Sequence, residues 1–135
     1  MDIENLSRQH HDIFALVNRI RAYSGEDQIR ENAAVIAKTL AQLSGIIKMH
    51  LLAEDKFVYP VLRTHADSRV CNAADAFAAE MGELASVFTA YKSKYLIAGR
   101  IAEDAAAFFS ETTRVFAAME KRINKEEREL YPLVQ

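Results

Sequence analysis

Residues 49–62 read MHLLAEDKFVYPVL, and residues 121–134 read KRINKEERELYPLV. In both stretches an acidic pair precedes a Tyr-Pro dipeptide at the same spacing. Apolar residues in both recur at steps of three and four, which predicts amphipathic helices, and a proline near the end stops or bends a helix. The echo predicts two helices that run in the same direction and present Glu54 and Glu126 at the same depth in a core.

Outward from these stretches, the apolar pattern predicts four helices with short connections. Ser24-Gly25 stops the first, Pro60 ends or bends the second, and Gly99 marks the break before the fourth. Short connections make neighbouring helices antiparallel. We therefore predict an all-α, antiparallel up-down-up-down four-helix bundle in a single domain over residues 1–135. The predicted helices cover about Ile3–Tyr23, Glu26–Leu62, Arg69–Tyr95 and Ile101–Leu130.

The composition fits one small globular domain and excludes several kinds of partner. The chain has 135 residues, half of them hydrophobic, which is enough for a core. With 17 basic and 19 acidic residues the net charge is -2, which offers no basic surface for nucleic acid or an anionic membrane. No apolar stretch approaches the roughly 18–20 residues of a membrane span, so we expect no membrane partner. The polar N-terminus and the one cysteine, Cys71, favour a cytoplasmic protein.

Polar side chains interrupt the apolar stripes of three predicted helices. The second helix, for example, places Phe57 and Val61 on the same inward stripe as its histidine and glutamate. A carboxylate or guanidinium buried without a partner costs several kcal/mol, so each needs a metal ion or an internal salt bridge. The interrupting residues are His10, His50, Glu54, Arg122 and Glu126.

His50 and Glu54 are four residues apart, so both lie on one face of a helix. An imidazole and a carboxylate on one face form half of a site for a first-row metal, and bundles draw the other ligands from facing helices. His10 and Glu126 are the inward candidates for those ligands. A structural ion pair is the alternative for His50 with Glu54 and for Glu126 with Arg122. For His10 the alternative is a satisfied histidine in the core or at its boundary.

Three motifs together carry a resemblance to a known family. They are Leu6–His10 (LSRQH), His50–Pro60 (H-x-x-x-E-D-x-x-x-Y-P) and Arg122–Pro132 (x-x-x-x-E-E-x-x-x-Y-P). In this order they resemble the hemerythrin-like, HHE cation-binding family over nearly the whole chain. The resemblance implies a four-helix bundle that holds two non-haem irons bridged by carboxylates. Some family members bind dioxygen reversibly, and others sense oxygen or iron or respond to nitrosative stress.

The chain departs from the family pattern at two positions. The third helix has Met81 and the fourth has Arg122 where the family supplies histidines. By resemblance both losses fall on the ligands of one iron, whereas His10 and His50 belong to the other. This grouping predicts a mononuclear site formed by His10, His50, Glu54 and Glu126.

The same departures allow a metal-free protein. In that alternative Arg122 replaces the cation and pairs with Glu54 and Glu126, because two buried carboxylates repel unless a cation lies between them. Met81 is then plain core, and Tyr59 and Tyr131 pack at helix ends or donate a hydrogen bond near the site.

Two function hypotheses follow. The first is a hemerythrin-like protein that binds one iron, with zinc or manganese as other candidates, and whose partner is a metal ion or a small diatomic ligand such as oxygen or nitric oxide. The second is a metal-free helical scaffold or interaction protein. No catalytic motif is visible, so we expect no enzyme, and a face of the bundle is able to support a homodimer.

Overall fold

The computed structural model describes residues 3–134, and these fold into helices with no β-strand among them. The all-α prediction is confirmed, while the up-down-up-down order and the single domain stay predictions. A π-helical turn, Glu126–Leu130, and a 3-10 turn, Tyr131–Leu133, follow the last α-helix. The α-helices are α1 Ile3–Arg21, α2 Glu26–Glu31, α3 Ala33–Phe57, α4 Tyr59–Arg63, α5 Ser68–Tyr95, α6 Ala98–Glu103 and α7 Ala105–Lys125.

The predicted second helix is divided into α2, α3 and α4. It breaks at Asn32, whose side chain donates to the Gln28 carbonyl, and again at Val58. Pro60 lies in the first turn of α4, where a missing N–H costs little. The break at Val58 shifts the inward stripe by one residue. Phe57 and Val61, which we expected to be buried, are about half exposed, and Val58 and Leu62 are buried in their place.

The start of the fourth helix also differs from the prediction. Gly99 lies inside the short helix α6, so it does not mark the break. The chain breaks at Leu96 and Ile97, before α6, and again at Asp104, whose carboxylate accepts a hydrogen bond from the Ala107 backbone N–H and caps α7.

The helices enclose two clusters of buried apolar side chains. Helix α1 packs along α3, and α5 packs against α3, α4 and α7. The larger cluster includes Ile13, Ile47 and Ile123, and the smaller one includes Leu6 and Leu130. Along α1, α3 and the α7–π segment, residues of the larger cluster lie on one side of the polar layer and residues of the smaller cluster lie on its other side. The polar residues between them are His10, His50, Glu54 and Glu126. The two apolar clusters therefore flank one buried polar layer.

One helical segment is more apolar than expected. Ala33–Arg63, with 31 residues, is long and apolar enough by length and composition to cross a membrane, so the expectation that no stretch approaches that length was wrong. The core helix of a globular protein meets the same criterion, and this segment contributes Ile36, Leu40 and Leu43 to the larger cluster.

Candidate metal centre

Four predicted ligands converge in the buried polar layer. His10 comes from α1, His50 and Glu54 from α3, and Glu126 from the start of the π turn. All four side chains are buried, with Glu54 fully so. One donor atom from each lies within 4.8 Å of the donor atoms of the others. The helices therefore bring together the two imidazoles and two carboxylates that the sequence singled out.

The Nε2 atoms of the two imidazoles face each other. They are 3.0 Å apart, and Nε2 of His10 is also 3.0 Å from Oε1 of Glu126. Nε2 of His50 is 3.4 Å from Oε2 of Glu54 and 3.7 Å from Oε1 of Glu126. The metal-binding edge of each ring therefore points at the same small space.

The opposite ring nitrogens are each held by an acceptor. Nδ1 of His10 is 2.7 Å from a carboxylate oxygen of Glu127, and Nδ1 of His50 is 2.7 Å from the amide oxygen of Gln9. An acceptor at Nδ1 places the proton there and leaves the lone pair of a neutral imidazole on Nε2. Outer partners of this kind orient histidine ligands in metal sites. Both imidazoles are therefore set to offer Nε2 to a cation.

The pKa shifts of His50, Glu54 and Glu126 show that the two buried carboxylates need positive charge beside them. Burial lowers the pKa of His50, but hydrogen bonds to Glu126 and Glu54 and their negative charges outweigh burial and raise it to about 9. Burial raises the pKa of Glu54, and the hydrogen bond to His50 only partly opposes this. Burial also acts to raise the pKa of Glu126, yet hydrogen bonds from His10 and His50 bring it below the ordinary range. Without a metal, the layer holds a proton at His50 in the place of a cation.

Two carboxylate oxygens of the layer have no hydrogen-bond partner among the described residues. They are Oε1 of Glu54 and Oε2 of Glu126. Buried polar atoms are nearly always paired, and an unpaired one points to an absent water or ion. The other oxygen of each carboxylate lies near a histidine Nε2, so the two carboxylates and the two imidazoles supply the oxygen and nitrogen ligands that a first-row metal ion prefers.

The hydroxyls of the two echoed tyrosines have different surroundings. The Tyr131 hydroxyl donates to Oε2 of Glu54 at 2.9 Å and lies 3.2 Å from Nε2 of His10. The Tyr59 hydroxyl is buried without a hydrogen-bond partner among residues 3–134. Of the two, Tyr131 belongs to the polar layer.

Arg122 does not take the place that the metal-free alternative gave it. Its Nη1 donates to Glu80 at 2.7 Å, its Nη2 donates to the Phe77 carbonyl at 2.6 Å, and its guanidinium stacks 4.4 Å from the centre of the Phe77 ring. Towards the layer it offers only Nε, 3.9 Å from Oε2 of Glu126. The predicted ion pair with Glu126 is therefore present, through Nε alone, whereas Arg122 makes no ion pair with Glu54 among residues 3–134, because Glu80 and the Phe77 carbonyl on α5 accept from its two Nη atoms.

Met81 and Arg122, the two departures from the expected ligand pattern, line one small cavity beside the layer. The cavity has a volume of about 30 Å³ and is also bounded by His50, Glu126 and Phe88. A space of this size holds about one small molecule. Where the family pattern has two further histidines, this chain has a thioether and an arginine turned towards α5.

Sequence reasoning missed Gln9, Glu127 and Glu80. Gln9 stands beside His10 within LSRQH, and Glu127 is the second acid of the pair at Glu126. Both were quoted as parts of motifs without a role. Pairing across helices depends on the rotation of each helix, which a single sequence does not fix, so only the position of each residue next to a ligand could have suggested it.

Comparison with known proteins yields one match. The family model described as the hemerythrin HHE cation-binding domain matches residues 1–134. The match includes all four converging donors and both Tyr-Pro motifs. No curated protein and no solved structure matches the chain.

Proposed function

The chain belongs to the hemerythrin HHE cation-binding domain family, and from that membership we propose that it binds a single metal ion through four side chains, His10, His50, Glu54 and Glu126. We further propose that its long helices form the antiparallel up-down-up-down bundle of that family. One observation carries the proposal: Nδ1 of each imidazole faces an acceptor, so both Nε2 atoms are directed at each other and at the two carboxylates.

Arg122 and Met81 favour one metal ion over two. A second ion on their side of the carboxylates would lack imidazole ligands and would lie near a guanidinium that is 3.9 Å from Glu126. The second ion and the Arg122 guanidinium would both be positively charged, and like charges close together in a buried layer repel strongly. The losses on this side therefore leave one cation position, between His10 and His50.

The donor set suits iron, zinc or manganese, and we propose iron first because the chain resembles the hemerythrin-like proteins, for which the resemblance implies non-haem iron. Bound iron would supply a redox-active centre that takes a small diatomic ligand. The cavity of about 30 Å³ next to His50 and Glu126 has room for such a ligand, and its other walls are mostly apolar. We propose binding or sensing of oxygen, nitric oxide or the metal itself, in the cytoplasm and without enzymatic turnover.

Metal content tests the proposal. The protein is purified without added metal, dialysed, loaded in turn with iron(II), zinc and manganese, and analysed by plasma emission after removal of free ions. We expect about one ion per chain, lost in His50→Ala and retained in the matched control His11→Ala, because His11 is exposed on α1. A folded wild-type protein that retains none of the three ions would refute the proposal and favour the metal-free scaffold.

A further inference from the structure

The hydroxyl of Tyr131 lies among the metal-binding atoms of the buried layer. Its oxygen is 2.9 Å from Oε2 of Glu54, 3.2 Å from Nε2 of His10 and 3.3 Å from Nε2 of His50. The side chain is almost fully buried. We infer that Tyr131 is a fifth protein ligand of the metal ion, a phenolate; this inference rests on the single-metal site proposed above.

The distances between the donor atoms match those of one coordination shell. Bonds from first-row metals to nitrogen or oxygen are about 2.1 Å long, so neighbouring donors on an octahedral shell are about 3.0 Å apart and those on a tetrahedral shell about 3.4 Å. With the Tyr131 oxygen included, seven pairs of donor atoms lie between 2.9 and 3.7 Å. The Tyr131 oxygen is near three of the four other donor atoms, which places it within the shell that they form.

The Tyr131 oxygen takes part in the same set of close contacts as the four proposed ligands. Nε2 of His50 is next to all four other donors, at 3.0 Å from His10, 3.3 Å from Tyr131, 3.4 Å from Glu54 and 3.7 Å from Glu126. Around it, the Tyr131 oxygen lies between the donor atoms of His10 and Glu54.

The π turn explains why Tyr131 reaches the layer. The Tyr131 backbone N–H donates to the carbonyl of Glu126, five residues earlier, so the wider turn stacks Tyr131 on the face that carries Glu126. After Glu54 the chain keeps the ordinary spacing, since the Val58 N–H donates to the Glu54 carbonyl and the helix then breaks. Tyr59, the echo of Tyr131, is therefore rotated to a different environment.

The coordination chemistry is balanced without a redox step. The phenol O–H now donates to Glu54, and His50 carries the second proton of the metal-free layer. On binding, the phenol oxygen and Nε2 of His50 would each give a lone pair to the metal, and both protons would pass to solvent, as metal binding releases protons from other ligands. The oxidation state of the metal does not change. Tyrosine is an established iron ligand in other protein sites.

Iron(III) spectroscopy of the whole chain provides the test. An iron(III)–phenolate pair produces a visible charge-transfer band that histidine and carboxylate ligands alone do not. We expect the band in wild-type protein loaded with one iron(III), its loss in Tyr131→Phe, and its retention in the matched control Tyr59→Phe. Zinc affinity, measured by competition with a chromophoric chelator, should fall at least about 10-fold in Tyr131→Phe only.

The outcomes separate this inference from the proposed site. Wild-type protein that binds one iron(III) per chain without the band, or a band that persists in Tyr131→Phe, would overturn the phenolate ligand and leave the four-residue site standing. Wild-type protein that binds no metal would overturn both. If circular dichroism shows that Tyr131→Phe does not fold, resonance Raman of iron-loaded Tyr59→Phe decides the question: tyrosine ring modes enhanced under the band support the ligand, and their absence refutes it.

Discussion

Replacing Glu127 should weaken metal binding although Glu127 is not a ligand. Its Oε1 lies 2.7 Å from Nδ1 of His10 and sets the tautomer that leaves Nε2 free. Loss of an outer partner of a histidine ligand typically weakens metal binding by about 10- to 100-fold. The Glu127 side chain is 38% exposed, and water can replace part of its effect. We therefore expect the lower end for Glu127→Ala, about 10-fold or 1.4 kcal/mol.

Glu127→Gln separates charge from hydrogen bonding. The amide oxygen still accepts from Nδ1, which is the arrangement that Gln9 already provides for His50. A charge-assisted hydrogen bond is roughly twice as strong as a neutral one, so this variant should lose about half of the 1.4 kcal/mol, or about threefold in affinity.

Zinc competition with a chromophoric chelator at fixed pH measures these affinities. Glu129→Ala is the matched control, since it removes an exposed carboxylate from the same turn. Equal affinities for Glu127→Ala and Glu129→Ala would refute the argument that Glu127 positions His10. A larger loss in Glu127→Gln than in Glu127→Ala would contradict the division between charge and hydrogen bond.

Three further predictions concern stability. In metal-free protein the pKa of His50 is raised from an ordinary 6.5 to about 9, so protonation of His50 stabilises the folded state. The free energy of unfolding, measured in urea with a chelator present, should therefore fall by up to about 3 kcal/mol as pH rises from about 6.5 to about 9. A pH profile that His50→Gln leaves unchanged would contradict this. Arg122→Ala should lower the free energy of unfolding in urea by about 1–3 kcal/mol, because the contact with Glu80 is lost. Metal content should stay constant in this variant. A loss of metal would show that Arg122 supports the site directly. Tyr91→Phe should cost about 1–2 kcal/mol in thermal unfolding because its hydroxyl pairs with buried Thr112 at 2.6 Å, and an unchanged Tm would show that this pair adds nothing.

The four residues that converge in the polar layer could be predicted from the sequence because burial and helical periodicity act on each residue locally. His10, His50, Glu54 and Glu126 occupy positions where an apolar residue belongs, and a polar residue there needs a partner. The same reasoning identified Arg122 as buried, but it could not give the direction of a long side chain. Arg122 reaches Glu80, an acceptor on another helix.

Helix breaks were harder to predict than helices. Asn32 and Asp104 interrupt helical patterns without a glycine or proline, through capping hydrogen bonds that compete with the regular ladder. The π turn at Glu126–Leu130 also has no sequence signal of its own, since one extra residue per turn hardly alters the apolar pattern. It nevertheless decides which tyrosine reaches the polar layer.

The donors of the polar layer also impose an order of assembly on the protein. His10 and Glu126 are 116 residues apart, so the polar layer joins α1 to the π turn. During synthesis His10, His50 and Glu54 emerge long before Glu126 and Tyr131. A chain made only as far as Glu54 therefore lacks one carboxylate and the phenol, and the proposed metal site is complete only after the π turn has docked. In that proposal, a copy that ends before Glu126 competes poorly for the ion.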